Sequence, residues 1–348
     1  MSDHNKTFNA FLKLGGFLRA FCNDDSTETE WNDKANAAIA LAKHKNGWFD
    51  PENVLFAFKS WGAVLTEEKL SAWLTEYPKN STEKSAKTVA LIMAGNIPLV
   101  GFHDFLSIML TGHTALIKLS SNDNVLFRFI MDYLISFEPS LQERISITET
   151  KMEGFDAVIA TGSNNTARYF EYYFGKGPHI IRKNRNSIAV LRGNESEGQL
   201  RALGEDIFRY YGLGCRSVAK IFVPEDYDFD VLFKALYKFH PIIEQLKYSN
   251  NYDYNKAVYL MSEFKILDNG FLILKEDESY SSPIASLFYE RYSDPQTLKT
   301  RLENDADLLQ CIVSNGFLPD EIEFGTTQTP SLSDYADGVD TVDFLLKI

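Results

Sequence analysis

The sequence predicts an α/β protein: a mostly parallel, doubly wound sheet followed by a second α/β unit. Three observations predict it. A chain of 348 residues exceeds one ordinary core, so two packed units are expected. Short continuous apolar runs, such as Thr88-Val89-Ala90-Leu91-Ile92-Met93, have the length and composition of strands covered on both faces. From Lys87 onward these runs alternate with helix-length stretches, the pattern of strands joined by crossovers.

The first eighty or so residues read as helical. Phe8, Phe11, Leu12, Leu18 and Phe21 fall near one helical face. Asp50-Pro51-Glu52 is a helix start, with an acid at the cap and proline at the first turn, and Thr66-Glu67-Glu68 is another. The polar stretch 78–84 is a loop and a candidate boundary. Strands are expected at 88–93, 114–119, 145–148, 156–161, 179–181 and 187–191, and helices at 102–110, 125–137 and 165–174, with Gly112 closing the first of these. A second unit starts near Ser187, with helices at 197–211 and 229–239 and strands at 218–223, 271–274, 284–289 and 309–313. The expected division is 1–186, 187–325 and a C-terminal arm, 326–348, whose tail from Asp334 to Ile348 alternates acids with apolar residues. Ligands of doubly wound sheets sit beyond the carboxyl ends of strands, which singles out the loops after Met93, Leu119 and Thr161.

Composition narrows the function. Lys plus Arg total 35 against 48 Asp plus Glu, a formal net charge of -13, which opposes binding to nucleic-acid backbones. An anionic cofactor remains compatible, because phosphate sites are built locally from helix N-termini and main-chain N–H groups. No apolar run has the length of a membrane span, and Met1-Ser2-Asp3-His4-Asn5 lacks the start of a secretory signal. Cys22, Cys215 and Cys311 are far apart and form no C-x-x-C, which excludes a disulfide framework and a zinc ribbon and fits a reducing cytoplasm. No metal is expected.

Four segments can carry chemistry. Cys215 follows Gly212 and Gly214 between a helix and a strand, where glycines let the thiol and its own N–H approach a substrate and Arg216 favours the thiolate. It reads as a nucleophile for an acyl carbonyl or as a structural cysteine in a glycine turn. Asn96, in Ala94-Gly95-Asn96-Ile97-Pro98, reads as an oxyanion donor at a strand end or as a turn residue. Lys118, in Lys118-Leu119-Ser120-Ser121, reads as a nucleotide ligand or as a solvated charge. Gly162, Ser163 and Thr166 lie in a turn that opens a helix, a place suited to anions, although G-x-G-x-x-G is absent.

In order and rough spacing, Asn96-Ile97-Pro98, Lys118-Leu119-Ser120, Gly162-Ser163 and Gly212-Leu213-Gly214-Cys215 resemble the motifs of the aldehyde dehydrogenase superfamily. A narrower resemblance, to the LuxC-like acyl-CoA reductases of the bacterial luminescence type, covers nearly the whole chain. It rests on the stretches at 93–106, 155–176, 179–187, 210–218 and 331–341. The resemblance implies an aldehyde-dehydrogenase-like fold, with a Rossmann-type cofactor domain and a second catalytic domain. It implies NADPH-dependent reduction of a long-chain acyl group, from CoA or an acyl-carrying partner enzyme, to the fatty aldehyde. Cys215 would carry the acyl group, and Asn96 with the Cys215 N–H would form the oxyanion hole. Lys118, Ser120, Gly162, Ser163 and Thr166 would hold the dinucleotide, with Glu278 a ribose ligand. Two departures stand out. Ile181-Arg182-Lys183-Asn184 replaces the Glu-Leu-Gly-Gly segment whose acid activates water, which fits reduction rather than hydrolysis. The oligomerisation hairpin is reduced to the segment at 78–87, leaving homo-oligomer assembly open. Two rivals remain: an acyl hydrolase or acyltransferase pairing Cys215 with His103, His113 or His179, and a non-catalytic acyl- or partner-binding subunit.

Overall fold

A computed structural model describes residues 3–78, 85–162 and 164–348. They form two compact units, residues 1–183 with 331–348 and residues 184–330.

Unit 1 opens with four helices, α1 (Asp3–Cys22), α2 (Thr29–Lys45), α3 (Pro51–Val64) and α4 (Glu67–Thr75). On α1, Ala10, Phe11, Leu14, Phe17 and Leu18 are buried at helical spacing, and Phe11 meets Phe102 and Phe105 edge-on. Thr66 caps α4, its hydroxyl accepting the Lys69 N–H at 3.3 Å. Then come β1 (Thr88–Ile92), α5 (Phe102–Leu110), β2 (Thr114–Lys118), α6 (Leu126–Phe137), β3 (Ile145–Ile147), β4 (Ala157–Thr161), α7 (Asn164–Phe174) and β5 (His179–Arg182). Among the described residues the sheet has five strands in the order β3-β2-β1-β4-β5. Its ladders are parallel throughout. Alternation sends Val89, Leu91, Ala115, Ile117 and Ile159 into the large core beneath α1, α5 and α6. Ala90, Val158 and Ala160 face Phe170 and Phe174 of α7. The chain enters at β1, winds out through β2 and β3, and crosses back to β4, so the topological switch lies between β1 and β4.

Unit 2 contains β6 (Asn186–Val190), α8 (Glu197–Phe208), β7 (Val218–Pro224), α9 (Phe229–Leu236), α10 (Leu246–Met261), β8 (Ile266–Asp268), β9 (Ile273–Glu276), β10 (Ser286–Tyr292), α11 (Pro295–Asn304) and β11 (Leu309–Val313). Its sheet has the order β11-β6-β7-β10-β9-β8 among the described residues, parallel except for the β8–β9 pair. Ile221, Val223 and Leu287 pack under α8 and α9, while Ile188, Val190 and Phe222 pack against Leu298 and Leu302 of α11.

Several expectations change. The helix expected at 197–211 stops at Phe208, because Tyr210, Tyr211 and Gly212 all turn left-handed, with φ of 54, 60 and 75°. The strand expected at 271–274 begins at Ile273, since the Asn269 side chain holds the N–H groups of Phe271 and Leu272 in a turn. Helices α10 and α11 and strand β8 were not foreseen. The buried positions of α10 are Tyr248, Tyr252, Asn255 and Tyr259, a stripe at helical spacing written in polar residues. The expected arm at 326–348 divides: residues 326–330 stay with unit 2, and 331–348 belong to unit 1, ending in α12 (Thr341–Lys347). There the Tyr335 hydroxyl accepts the Trp73 indole N–H at 2.7 Å, and His103 Nε2 donates to the Leu332 carbonyl at 2.8 Å. Arg182 forms an ion pair with Asp104 and donates to Thr341 Oγ1, all buried.

Removing one member of a buried ion pair strands the other. Arg182→Met is therefore expected to lower stability by about 3–5 kcal/mol, with Asp104→Leu/Arg182→Met recovering most of the loss. Urea unfolding of the three proteins checks this.

Candidate active site

In unit 1 the predicted site residues share one edge of the sheet. Asn96 lies in the turn after β1, exposed. Lys118 closes β2 in register with Ile92, its side chain exposed. Gly162 follows β4, and Thr166 lies exposed in the first turn of α7. These positions flank the switch between β1 and β4, where a doubly wound sheet leaves its crevice and a helix N-terminus favours an anion. Ser163 lies outside the described residues.

The Asn96 turn is held from below by the segment after β2. A Cβ on Gly95 would come within 2.5 Å of Ser120 Oγ and 3.1 Å of Asp123 N, so only glycine lets the two segments touch. Ser120 Oγ, half-buried, accepts the Asn122 N–H at 3.2 Å. Leu99 is left-handed, with φ of 56°, and its N–H donates to buried Asp123 Oδ2 at 2.8 Å. Burial pushes the Asp123 carboxyl up to about 6, with the Leu99 and Leu126 N–H groups pulling the other way. Gly162 plays a similar part beside α7, where an added Cβ would stand 3.0 Å from Thr166 Cβ and 3.1 Å from Phe170 Cε2.

In unit 2, Cys215 is exposed in the turn leading into the amino end of β7. Two left-handed tyrosines precede it, a conformation costing a non-glycine residue about 1–2 kcal/mol, which surrounding structure has to impose. Buried Ser187 donates to the Cys215 carbonyl at 2.9 Å. Arg216 Nε donates to the Thr327 carbonyl, and Gln328 Nε2 to Ser217 Oγ at 3.2 Å. Glu278 is exposed, and its carbonyl accepts from buried Lys220 Nζ at 2.8 Å. Lys220 also pairs with Glu290 at 2.7 Å, and Glu290 with Arg301. Beside the Cys215 turn a cavity of about 30 Å³, room for one water, is lined by Tyr211, Gly212, Tyr248 and Pro283 among others.

At the carboxyl ends of the unit 2 strands, glutamates occupy main-chain N–H groups beside a cavity of about 280 Å³ lined by Glu195, Pro224, Tyr227 and Val231 among others. Glu195 accepts the N–H groups of Arg192 and Gly193 after β6, at 2.6 and 3.0 Å. After β11, Glu321 accepts from Ser314 Oγ and from the N–H groups of Gly316, Phe317 and Leu318. Burial works to raise the Glu321 carboxyl, but these donors hold it below the usual range.

The candidate histidines are otherwise engaged. His113 Nδ1 accepts the Lys87 N–H at 3.1 Å and its Nε2 donates to the Leu345 carbonyl at 2.9 Å. His103 is buried against the Leu332 carbonyl, and burial holds it below the usual histidine range. His179 is exposed, with Nδ1 2.8 Å from the Gly177 carbonyl. No group of three or more His, Cys, Asp or Glu side chains able to hold a metal occurs among the described residues. No described helix is long and apolar enough to cross a membrane.

The family model for acyl-CoA reductase (LuxC) matches residues 51–237, more than half of the chain. The chain belongs to the LuxC acyl-CoA reductase family. That places it among oxidoreductases acting between acyl and aldehyde groups. No curated protein matches it. Among solved structures it is similar to indole-3-acetaldehyde dehydrogenase AldA of P. syringae, in complex with NAD+ and IAA, at 11% identity and a TM-score of 0.63. That match covers 86% of this chain and 69% of that one. Aldehyde dehydrogenase 21 of Physcomitrella patens, in complex with the reaction product succinate, matches at 12% identity and a TM-score of 0.66, over 100% of this chain and 84% of that one. Betaine aldehyde dehydrogenase of Staphylococcus aureus, in complex with NAD+, matches at 13% identity and a TM-score of 0.54, over 82% and 67%. At these identities the likeness establishes the aldehyde-dehydrogenase-like fold of this LuxC-family chain.

Reading the sequence alone missed Asp123, Ser187, Asp206 and Thr327, which hold the Asn96 and Cys215 turns. Asp206 left a signal, an acid beside Leu203 and Ile207 on the apolar face of α8; Asp123, inside Ser-Asn-Asp-Asn, left none.

Asp123 gives a pH prediction. An unfolded aspartate titrates near 3.8 and this one near 6 in the fold, so the folded chain binds the extra proton in between. Its charged form thus removes stability as pH rises from about 4 to 6. Asp123→Asn escapes that loss, so its stability relative to wild type should rise by about 2–3 kcal/mol between pH 4.5 and 7.5. Thermal unfolding of both proteins across that range is the check, and a constant difference would contradict the raised carboxyl.

Proposed function

We propose that this chain reduces a long-chain acyl thioester, presented by CoA or by an acyl-carrying partner enzyme, to the fatty aldehyde with NADPH, through a covalent thioester on Cys215. The observation that carries the reading is the Cys215 turn: an exposed thiol behind two left-handed tyrosines, its following residues tied to the 327–328 segment, in a chain of this family.

The Cys215 thiolate attacks the acyl carbon; the new sulfur–carbon bond forms as the donor's carbon–sulfur bond breaks, and the donor thiolate leaves to be protonated. The oxyanion accepts from the Cys215 N–H and the Asn96 amide. NADPH, when bound, supplies a hydride. Cys215 then leaves the reduced carbon as a thiolate, and the aldehyde departs. The carboxyl edge of unit 1 suits a dinucleotide: Lys118 supplies a cation, Gly162 a close main-chain approach, and the start of α7, with Ser163 and Thr166, a place for phosphate. Ser120 shapes the Asn96 turn as well, and Glu278 is the proposed ribose ligand. NADPH over NADH follows the family resemblance. Three thiols fit a reducing cytoplasm as the place of action.

The histidine-assisted hydrolase finds little support, since His103 and His113 each have a ring nitrogen bonded to a carbonyl of the C-terminal segment.

Mass measurement after mixing with acyl-CoAs of graded length, with and without NADPH, tests the proposal. Wild type should gain one acyl mass and lose it on adding NADPH, with one NADPH consumed per aldehyde, while Cys215→Ala gains none. Asn96→Ala is expected to lower kcat by about 10²–10³. Full aldehyde production by Cys215→Ala would end the proposal.

A further inference from the structure

Asp206 sits on the apolar face of α8 between Leu203 and Ile207, fully buried. Its carboxylate accepts three hydrogen bonds from one loop: Gly325 N at 2.6 Å, Thr327 N at 3.0 Å and Thr327 Oγ1 at 2.8 Å. Gly325 is left-handed and lies so close to α8 that an added Cβ would stand 3.0 Å from Ala202 Cβ. This loop, anchored on α8, binds the two residues that follow Cys215. The Thr327 carbonyl accepts from Arg216 Nε, and Gln328 Nε2 donates to the Ser217 hydroxyl.

We infer that Asp206 is a positioning residue for the nucleophile, acting through the 325–328 loop to hold Arg216 and Ser217 and thereby the direction of the Cys215 thiol and N–H. The inference rests on Cys215 being the acyl carrier. Asp206 does not act as a base: its oxygens are occupied by main-chain and hydroxyl donors, and Thr327 stands between it and the turn. An amide at 206 cannot replace the carboxylate, because its NH2 would face a main-chain N–H. The left-handed Tyr210 and Tyr211 on the other side of Cys215 give the turn a reason to relax once this hold is lost.

The test compares Asp206→Asn, Thr327→Val and Leu232→Ala, the last a buried core residue of α9 chosen to destabilise unit 2 generally. Three quantities are read: melting temperature, the pH midpoint of Cys215 alkylation by iodoacetamide followed by peptide mapping, and the acylation rate with an acyl-CoA. Asp206→Asn should raise the alkylation midpoint by about half a pH unit or more, as Arg216 loses its anchor. It should slow acylation about tenfold or more, with half-saturating acyl-CoA within about twofold of wild type. Thr327→Val should shift both the same way by less. Leu232→Ala should lower the melting temperature and leave the midpoint in place. Wild-type midpoints and rates in both Asp206→Asn and Thr327→Val would overturn the inference, as would the same midpoint shift in Leu232→Ala. If Asp206→Asn does not fold, Thr327→Val decides on the same criteria. A raised midpoint in a protein that accepts no acyl group would uphold the positioning role while the acyl-reductase reading fell.

Discussion

A carboxylate taken out of water must be met by hydrogen-bond donors, and in this chain buried aspartates meet main-chain N–H groups at the turns that matter. Asp206 gathers the 325–327 loop, and Asp123 gathers Leu99. The desolvation of each costs several kcal/mol before its donors are counted, so neither is a cheap way to stabilise a core. What each provides is geometry. A main-chain donor aimed at a fixed oxygen has few alternative positions, whereas an apolar contact tolerates sliding. The left-handed backbone at Leu99, Tyr210 and Tyr211 is the complementary observation: residues with side chains remain there because neighbouring groups leave no easier conformation.

The two sheets use this constraint differently. Both are wound from a central strand, and both have a switch point where anions are usually bound. In unit 2, Glu195 and Glu321 lie at the carboxyl ends of the strands and occupy the same kind of main-chain N–H groups that would otherwise cradle a phosphate. Cys215 stands at the opposite, amino edge, ahead of β7. In unit 1 the carboxyl edge presents Lys118, Gly162 and the start of α7.

Strand-helix alternation was legible because parallel strands buried on both faces, such as Val89-Ala90-Leu91, are written as uninterrupted apolar runs. Helix α10 was not, since its inward positions are tyrosine and asparagine, whose hydroxyl and amide reach the Phe271 and Ile284 carbonyls and so can be buried at little cost. The glycine-rich approach to Cys215 was visible, and so was the family resemblance that drew the four segments into one reading. The supports of those segments were hidden by distance along the chain. Asp206 and Thr327 are 121 residues apart, and no periodicity encodes a loop that returns to a helix. The joining of 331–348 to unit 1 was hidden for the same reason, as it depends on pairs such as Trp73 with Tyr335.

A thioester on an enzyme has two fates, reduction or hydrolysis, and the balance turns on whether a base is available to activate water. Where the superfamily resemblance places a water-activating glutamate this chain carries Ile181, and the fold commits the next residue, Arg182, to Asp104 and Thr341. His103 and His113 each donate a ring N–H to a carbonyl of the C-terminal segment, and His113 Nδ1, the nitrogen that would take a proton, already accepts the Lys87 N–H. The groups that could have served hydrolysis are thus employed in holding unit 1 together.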